Sequence, residues 1–322
     1  MTKTRAYGSD ASLLAAFEAD YGAFPDGSGG GVYTRLPFKS ISLGAERPLG
    51  YDPLLGEGRN AQDPFYEAIS DNGGVEIPLD ARGSGFWFKA LFGAPQSVEN
   101  EDGTHSHIFT AGLDVLSLAI EIGHAALSTP IYYRHQGVKL GSFSFDMATS
   151  GPVNASIDMI AQGEGNANSS IDQSPASFAL NRFNNGSGSI QMNGAQLASV
   201  TQGSFNFSNN LEEIRTIRED GLIDGADETE ATADGSVTVR FGVDSTIRDA
   251  VDAETPVSLS YGFKGADGAS LQFDLPRVFL PRKKSEISGP GGIEMSYDWR
   301  AARDPSLGYM LLITLTNDIK GY

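Results

Sequence analysis

The sequence predicts an all-β protein of two packed antiparallel sheets, a β-sandwich or barrel unit present twice in tandem, with short flanking helices and long loops. Three observations carry this reading. Apolar residues recur at every second position in segment after segment, the period of strands with one buried face. The 322 residues include 39 glycines and 15 prolines, with many Asn, Asp and Ser besides, a turn-rich composition. Stretches with helical spacing are few and short.

Residues 1–32 read as an N-terminal arm. Asp10 and Ser12 ahead of Leu13-Leu14-Ala15-Ala16-Phe17 predict a helix ending near Ala19, and Asp26 to Gly31 a flexible lead-in. Residues 33–165 form the first expected β-domain. In it Ser84 is placed to cap a helix through Phe86-Trp87-Phe88-Lys89-Ala90-Leu91-Phe92, which Gly93 stops. That helix is apolar nearly all round, so protein should cover it on several sides. Leu116, Leu118, Ile120 and Ile122 share one face of a strand, with Ser117 and Glu121 opposite. Ala155, Ile157, Met159 and Ala161 alternate in the same way with Asn154, Ser156 and Asp158.

Residues 166–192 are polar and read as a linker to a second β-domain, 193–322. There the alternating sets are Val237-Val239-Phe241, Val257-Leu259-Tyr261-Phe263, Leu271-Phe273-Leu275, Ile293-Met295-Tyr297-Trp299 and Leu311-Ile313-Leu315. Ser245 is placed to cap a helix over 246–253, ahead of Thr255-Pro256. Residues 218–235 read as a long acidic loop.

The order of elements recurs. The stretch Gly74-Val75-Glu76-Ile77, a short helix, the strand 116–122, Ser150-Gly151-Pro152 and a final alternating strand matches Gly235-Ser236-Val237-Thr238, the helix after Ser245, the strand 257–263, Ser288-Gly289-Pro290 and the strand 293–299. A tandem duplication is expected from this order.

Composition excludes several chemistries. Hydrophobic residues make up 40% and charged residues 20%, which allows a packed core. With no cysteine, disulfides, zinc–thiolate sites and thiol nucleophiles are ruled out. No apolar stretch follows Met1 to Ala6, so no secretory signal is expected, and the most apolar run, 115–122, is too short for a membrane span. A net charge of −18 opposes tight wrapping of nucleic acid, which needs Lys and Arg to displace counterions.

Candidate sites yield no catalytic frame. His105 and His107 share one strand face, yet no further ligand stands at a metal-binding spacing, so they read as exposed strand or loop histidines. Asp220, Asp224, Asp227 and Glu228 crowd the acidic loop, but Leu222 breaks the calcium-loop pattern. No cofactor, metal or catalytic residue is expected. Arg277, Arg282, Lys283 and Lys284 form one basic cluster, suited to a phosphate backbone, a solvated turn or the 219–234 loop of a neighbouring copy.

Several stretches, in order, resemble the large tail tube proteins of siphophages. They are Leu36-Pro37-Phe38-Lys39-Ser40-Ile41-Ser42-Leu43, Ile77-Pro78-Leu79-Asp80-Ala81-Arg82 with 86–93, and Ser142-Phe143-Ser144-Phe145-Asp146-Met147 with Ile160-Ala161-Gln162-Gly163. The second half adds Phe205 to Glu212, Asp220-Gly221 with Asp224 to Asp227, Leu275-Pro276-Arg277-Val278-Phe279-Leu280-Pro281 and Gly289 to Gly292. The resemblance covers residues 33–320 and implies a non-enzymatic virion protein, made in the host bacterial cytoplasm. Its subunits would form rings that stack into a hollow tube, through which DNA passes without specific binding. Implied partners are the chain itself and other tail proteins: the tape measure, the tail terminator and the distal tail protein. Two tube-like units per chain imply a trimeric, pseudo-sixfold ring, with a hexamer as the alternative. The expected contacts between subunits or rings are Asp220, Asp224, Asp227, Glu228, Arg277, Arg282, Lys283, Lys284, Phe86 and Trp87, with the arm 23–60 and the loop 219–234 between rings. An inner tube of a contractile tail or secretion apparatus shares this fold, and an extracellular carbohydrate-binding or adhesive β-sandwich is the alternative of another class.

Overall fold

The computed structural model describes residues 3–56, 58–111, 115–284 and 289–322. The chain opens on a strand, β1 (Ser12–Phe17), where a helix was expected. Leu13 to Ala16 are all buried, and an apolar run covered on both faces has no period to tell strand from helix. The arm continues through β2 (Thr34–Arg35), β3 (Ser40–Ile41), β4 (Gly44–Glu46), β5 (Leu49–Gly50) and β6 (Phe65–Tyr66). β7 (Ser70–Pro78) then leads into helix α1 (Gly83–Phe92). The hairpin β8 (Gln96–Glu99) and β9 (His105–Thr110) follows, then β10 (Leu118–His124) and the long β11 (Ile131–Met147). β12 (Asn154–Ala161), β13 (Gly163–Ala167), β14 (Ala176–Ser177), β15 (Gly188–Met192), β16 (Ala195–Gln196) and β17 (Val200–Ser208) lead to the second half. There the elements are β18 (Glu212–Ile214), β19 (Gly225–Asp227), β20 (Thr232–Arg240), α2 (Thr246–Ala253), β21 (Val257–Lys264), β22 (Ser270–Phe279), β23 (Glu294–Ala301) and β24 (Leu312–Asn317).

The all-β expectation is met, and the strands arrange in three layers. The first runs β3 and β4, β7, β12, β11, β17, β20, β23, each antiparallel to its neighbour. The second runs β15, β21, β22, β24, β9, β8, and touches the first where Val278 and Phe279 meet Ala301 and Arg300. The third, β2, β1, β10, β11 and β13, shares the first half of β11. Helix α1 fills the space between layers: Phe88 meets the rings of Phe109, Phe143 and Phe273 at 5.4–5.9 Å. Those rings come from both halves of the chain, and one apolar core spans them. No helix among the described residues is long and apolar enough to cross a membrane.

The first layer repeats itself. In chain order, its first, second, fourth and third strands lie side by side as β3 and β4, β7, β12, β11, and the second unit begins the same way with β17, β20, β23. A helix follows the second strand in both units. The hairpins β10–β11 and β21–β22 also correspond, down to a one-residue bulge. Pairing shifts between Leu118 and Ile120 in one and between Val257 and Leu259 in the other. The third strand then meets the fourth at matching places, Lys139 opposite Ile160 and Phe279 opposite Arg300. The two halves thus share this order of strands and helix, with the β8–β9 hairpin present in the first unit alone among the described residues. Ser288 of the sequence echo lies outside the described residues.

Both helix caps differ from expectation. Asp80, three residues before α1, takes the role given to Ser84: its Oδ1 accepts from Arg82 N at 2.6 Å and Gly83 N at 2.8 Å. Ser84 Oγ instead accepts from Asp80 N. In α2, Asp244 Oδ1 accepts from Thr246 N, and Ser245 Oγ donates to Asp249. The polar 166–192 segment is packed rather than a loose tether. Phe183 is buried, Ala81 N donates to Asn181 O, and buried Asp172 accepts from the amides of Val32, Tyr33 and Ser174.

Candidate assembly surfaces

A protein that polymerises needs surfaces left unfinished in the single chain, such as open sheet edges, apolar loops and charged patches. The first layer has two open edges among the described residues. At one end β3 and β4 pair with β7 alone. At the other, β23 lies against β20 from Glu294 to Arg300, while its far side meets β22 at Arg300 and Ala301 only. In the first unit the equivalent strand β12 is covered by β11 along Ala155 to Ile160. The chain departs after Phe279, where Leu280-Pro281 begins the basic cluster; Pro281 has no N–H to donate to a ladder.

Among the described residues that cluster does not reach the acidic loop of its own chain. Lys283 pairs with Asp298 on β23 at 2.5 Å, Arg282 approaches Asp252 of α2 at 3.8 Å, and the Arg277 guanidinium stacks over Phe279. Lys284 is exposed. These side chains flank the open β23 edge, and Lys and Arg at such an edge discourage indiscriminate pairing.

The acidic segment is more ordered than a long loop. β18 and β19 close a small hairpin across it, and β20 begins at Thr232. Arg218 forks onto Asp220 at 2.7 and 2.9 Å and reaches Asp224 at 3.1 Å. The Arg218 bond is the main reason that the Asp220 carboxyl drops to a pKa of about 2, while the guanidinium rises. Asp227 lies in β19 opposite Glu212. Glu228 turns inward to accept from Lys139 Nζ and the Val115 amide. Burial works against its charge, but Lys139 and these bonds hold its carboxyl below the ordinary value.

Phe86 and Trp87, expected at a subunit contact, lie in the core instead. Trp87 is 1% exposed and Phe86 6%, and the Phe86 ring sits 4.7 Å from that of Phe17. Burying an apolar helix on all sides consumes its contact surface within the chain. His105 and His107 are likewise buried rather than exposed, because β9 is covered by β8 and β24.

One surface carried no signal in the alternation pattern. The hairpin β5–β6 and its loop expose Leu49, Tyr51, Leu54, Leu55, Phe65 and Tyr66, with Leu55 98% exposed. Scattered single apolar residues are ordinary on a surface, but six within one excursion of the arm make a patch. Its sequence cue is a cluster of large apolar residues within a Pro- and Gly-rich stretch that alternates nowhere.

A family model described as "Phage tail tube protein" matches residues 8–301. A search of curated protein sequences returned no match.

Proposed function

Because the chain belongs to the phage tail tube protein family, we propose that it is the major tail tube subunit of a long, non-contractile tail. In this reading three copies close a pseudo-sixfold ring, and rings stack into the hollow tube that conducts DNA. The protein is a structural component of the phage tail, and self-assembly with other tail proteins is its task; tape measure, terminator and distal tail protein are the partners proposed for the tube's ends.

The observation that carries the stoichiometry is the join inside the chain. The third strand of the first unit, β11, pairs with the first strand of the second, β17, from Ser142 opposite Ser208 to Met147 opposite Gly203. The same join between copies would set the chain beyond Phe279 beside the β3–β4 edge of the next copy. Six repeated units then close with three chains, by a heterologous contact that rotation turns into a ring. Closure leaves no open edge in the first layer. The net charge of −18 suits a conduit that repels a phosphate backbone rather than holding it.

Electron microscopy and native mass spectrometry of single rings test the proposal. Three chains per ring are expected, with six similar lobes around the axis. Six chains per ring would overturn the tandem reading, and a dispersed monomer at high concentration would overturn the tube reading itself.

A further inference from the structure

We propose that Asp71, His135 and Glu164 form a binding site for one divalent transition-metal ion, at the place where β11 passes from the third layer into the first. The three residues come from three strands. Asp71 opens β7 opposite Ala161 and Ala45; His135 lies within β11 directly opposite Glu164 of β13. One ligand atom from each lies within 4.8 Å of the other two, a spacing that one ion can span.

The second observation is a deficit of partners. Asp71 Oδ2 and His135 Nδ1 lie 2.9 Å apart, and both side chains are 0% exposed. Asp71 Oδ1 and His135 Nε2 are equally buried, and neither has a hydrogen-bond partner among the described residues. Buried polar atoms are nearly always paired, because losing water without a replacement is costly. A proton shared between Nδ1 and Oδ2 satisfies one atom of each group and leaves the other oxygen and nitrogen orphaned. A cation beside the pair would take an Asp71 oxygen and one imidazole nitrogen as ligands, with the Glu164 carboxylate within reach of both.

Glu164 differs from its partners in being only half-buried, which gives the ion a route from solvent. Its Oε2 accepts from Ala45 N at 2.9 Å, so the carboxylate is held in place by β4 and keeps its second oxygen for the ion. One imidazole and two carboxylates favour Zn²⁺ or Mn²⁺ over Ca²⁺, which takes oxygen ligands alone. Water would complete the shell on the Glu164 side. The bound ion would tie β7, β11 and β13 together where two sheets diverge, a structural role independent of ring stoichiometry.

The test uses untagged full-length protein stripped with EDTA and titrated calorimetrically with ZnCl₂, then with MnCl₂. One Zn²⁺ per chain is expected, with a rise in melting temperature. Glu164→Gln should keep the melting temperature of the metal-free protein and weaken Zn²⁺ binding at least tenfold. Long-range ¹⁵N spectra should show the His135 ring nitrogens shifting on Zn²⁺ addition. No saturable binding of either ion, equal binding by wild type and Glu164→Gln, or unmoved His135 nitrogens would each overturn the proposal.

Discussion

Phe143 of β11 and Phe207 of β17 stand directly opposite each other across the strand pair that joins the two repeated units, and neither ring reaches solvent. Helix α1 binds them into one core, since Phe92 lies 4.7 Å from Phe207 and Phe88 lies 5.4 Å from Phe143. The units are thus joined by shared packing as well as by backbone hydrogen bonds.

Phe207→Ala tests that join. Removing a fully buried phenylalanine ring costs about 3–5 kcal/mol, from lost burial plus the cavity left behind. A urea unfolding curve should show that loss as one cooperative transition moved to lower denaturant. A loss under ~1 kcal/mol, or two separate transitions, would mean the units are coupled weakly.

Equivalent glycines mark the second strand of each unit. A Cβ on Gly73 would lie 2.4 Å from Ser42 O, and one on Gly235 would lie 2.1 Å from Ser204 O and 2.6 Å from the Trp299 ring. In both places the first strand's backbone approaches too closely for any side chain. Gly235→Ala should therefore destabilise by ~1–3 kcal/mol or more through forced backbone movement. Gly165→Ala, where a Cβ meets nothing within 4 Å, should leave stability within ~1 kcal/mol of wild type. Thermal unfolding of the two variants side by side checks the contrast.

His107 predicts a pH dependence. Burial is the main cause that lowers its pKa below the ordinary 6.5, against the bonds to Asn317 and Ile319 that favour the charged form; nearby His105 lowers it further. The neutral ring is well served, with Nε2–H donating to Ile319 O at 2.9 Å and Nδ1 accepting from Ser97 Oγ at 2.8 Å. Since the unfolded chain takes up its proton first as pH falls, this contribution is complete above pH 6.5. It is lost progressively as pH falls from there through the folded pKa. Denaturation midpoints between pH 7 and pH 5 should fall more steeply for wild type than for His107→Gln. Equal slopes would remove His107 from the account.

How much of this was legible depends on how far each signal travels along the chain. Period-two alternation located β12, β21, β22, β23 and β24, because one buried face leaves a local imprint; β10 shows the same pattern although both its faces are covered, with Ala119 and Glu121 buried opposite Leu118 and Ile120. The order of elements suggested a repeat but set Gly74 against Gly235, whereas Gly73 and Gly235 are the glycines packed alike against their first strands, one residue out of that register. Residues whose surroundings come from afar were misread. Leu13 to Ala16 lack alternation because both faces of β1 are covered. His107 is buried by contacts 210 and 212 residues away, which no local spacing reveals. Asp71, His135 and Glu164 are likewise scattered, and only β-pairing gathers them.

The apolar excursion 49–66 supplies the last prediction. Leu54 and Leu55 are 62% and 98% exposed, so they contribute almost nothing to the single chain's core. Replacing both with Ser should leave stability within ~0.5 kcal/mol of wild type, as for surface substitutions away from packed features. If the patch docks onto an adjacent ring, the same change removes apolar surface that stacking would bury, at roughly 25 cal/mol per Å². In the proposed tube each added ring would make this contact several times over, so a modest loss per copy would multiply along it. Sedimentation with negative-stain microscopy should then show rings in place of long tubes, at a protein concentration where wild type polymerises. Tubes of unchanged length and yield would exclude the excursion from ring stacking and leave the 219–234 segment as the contact to mutate next.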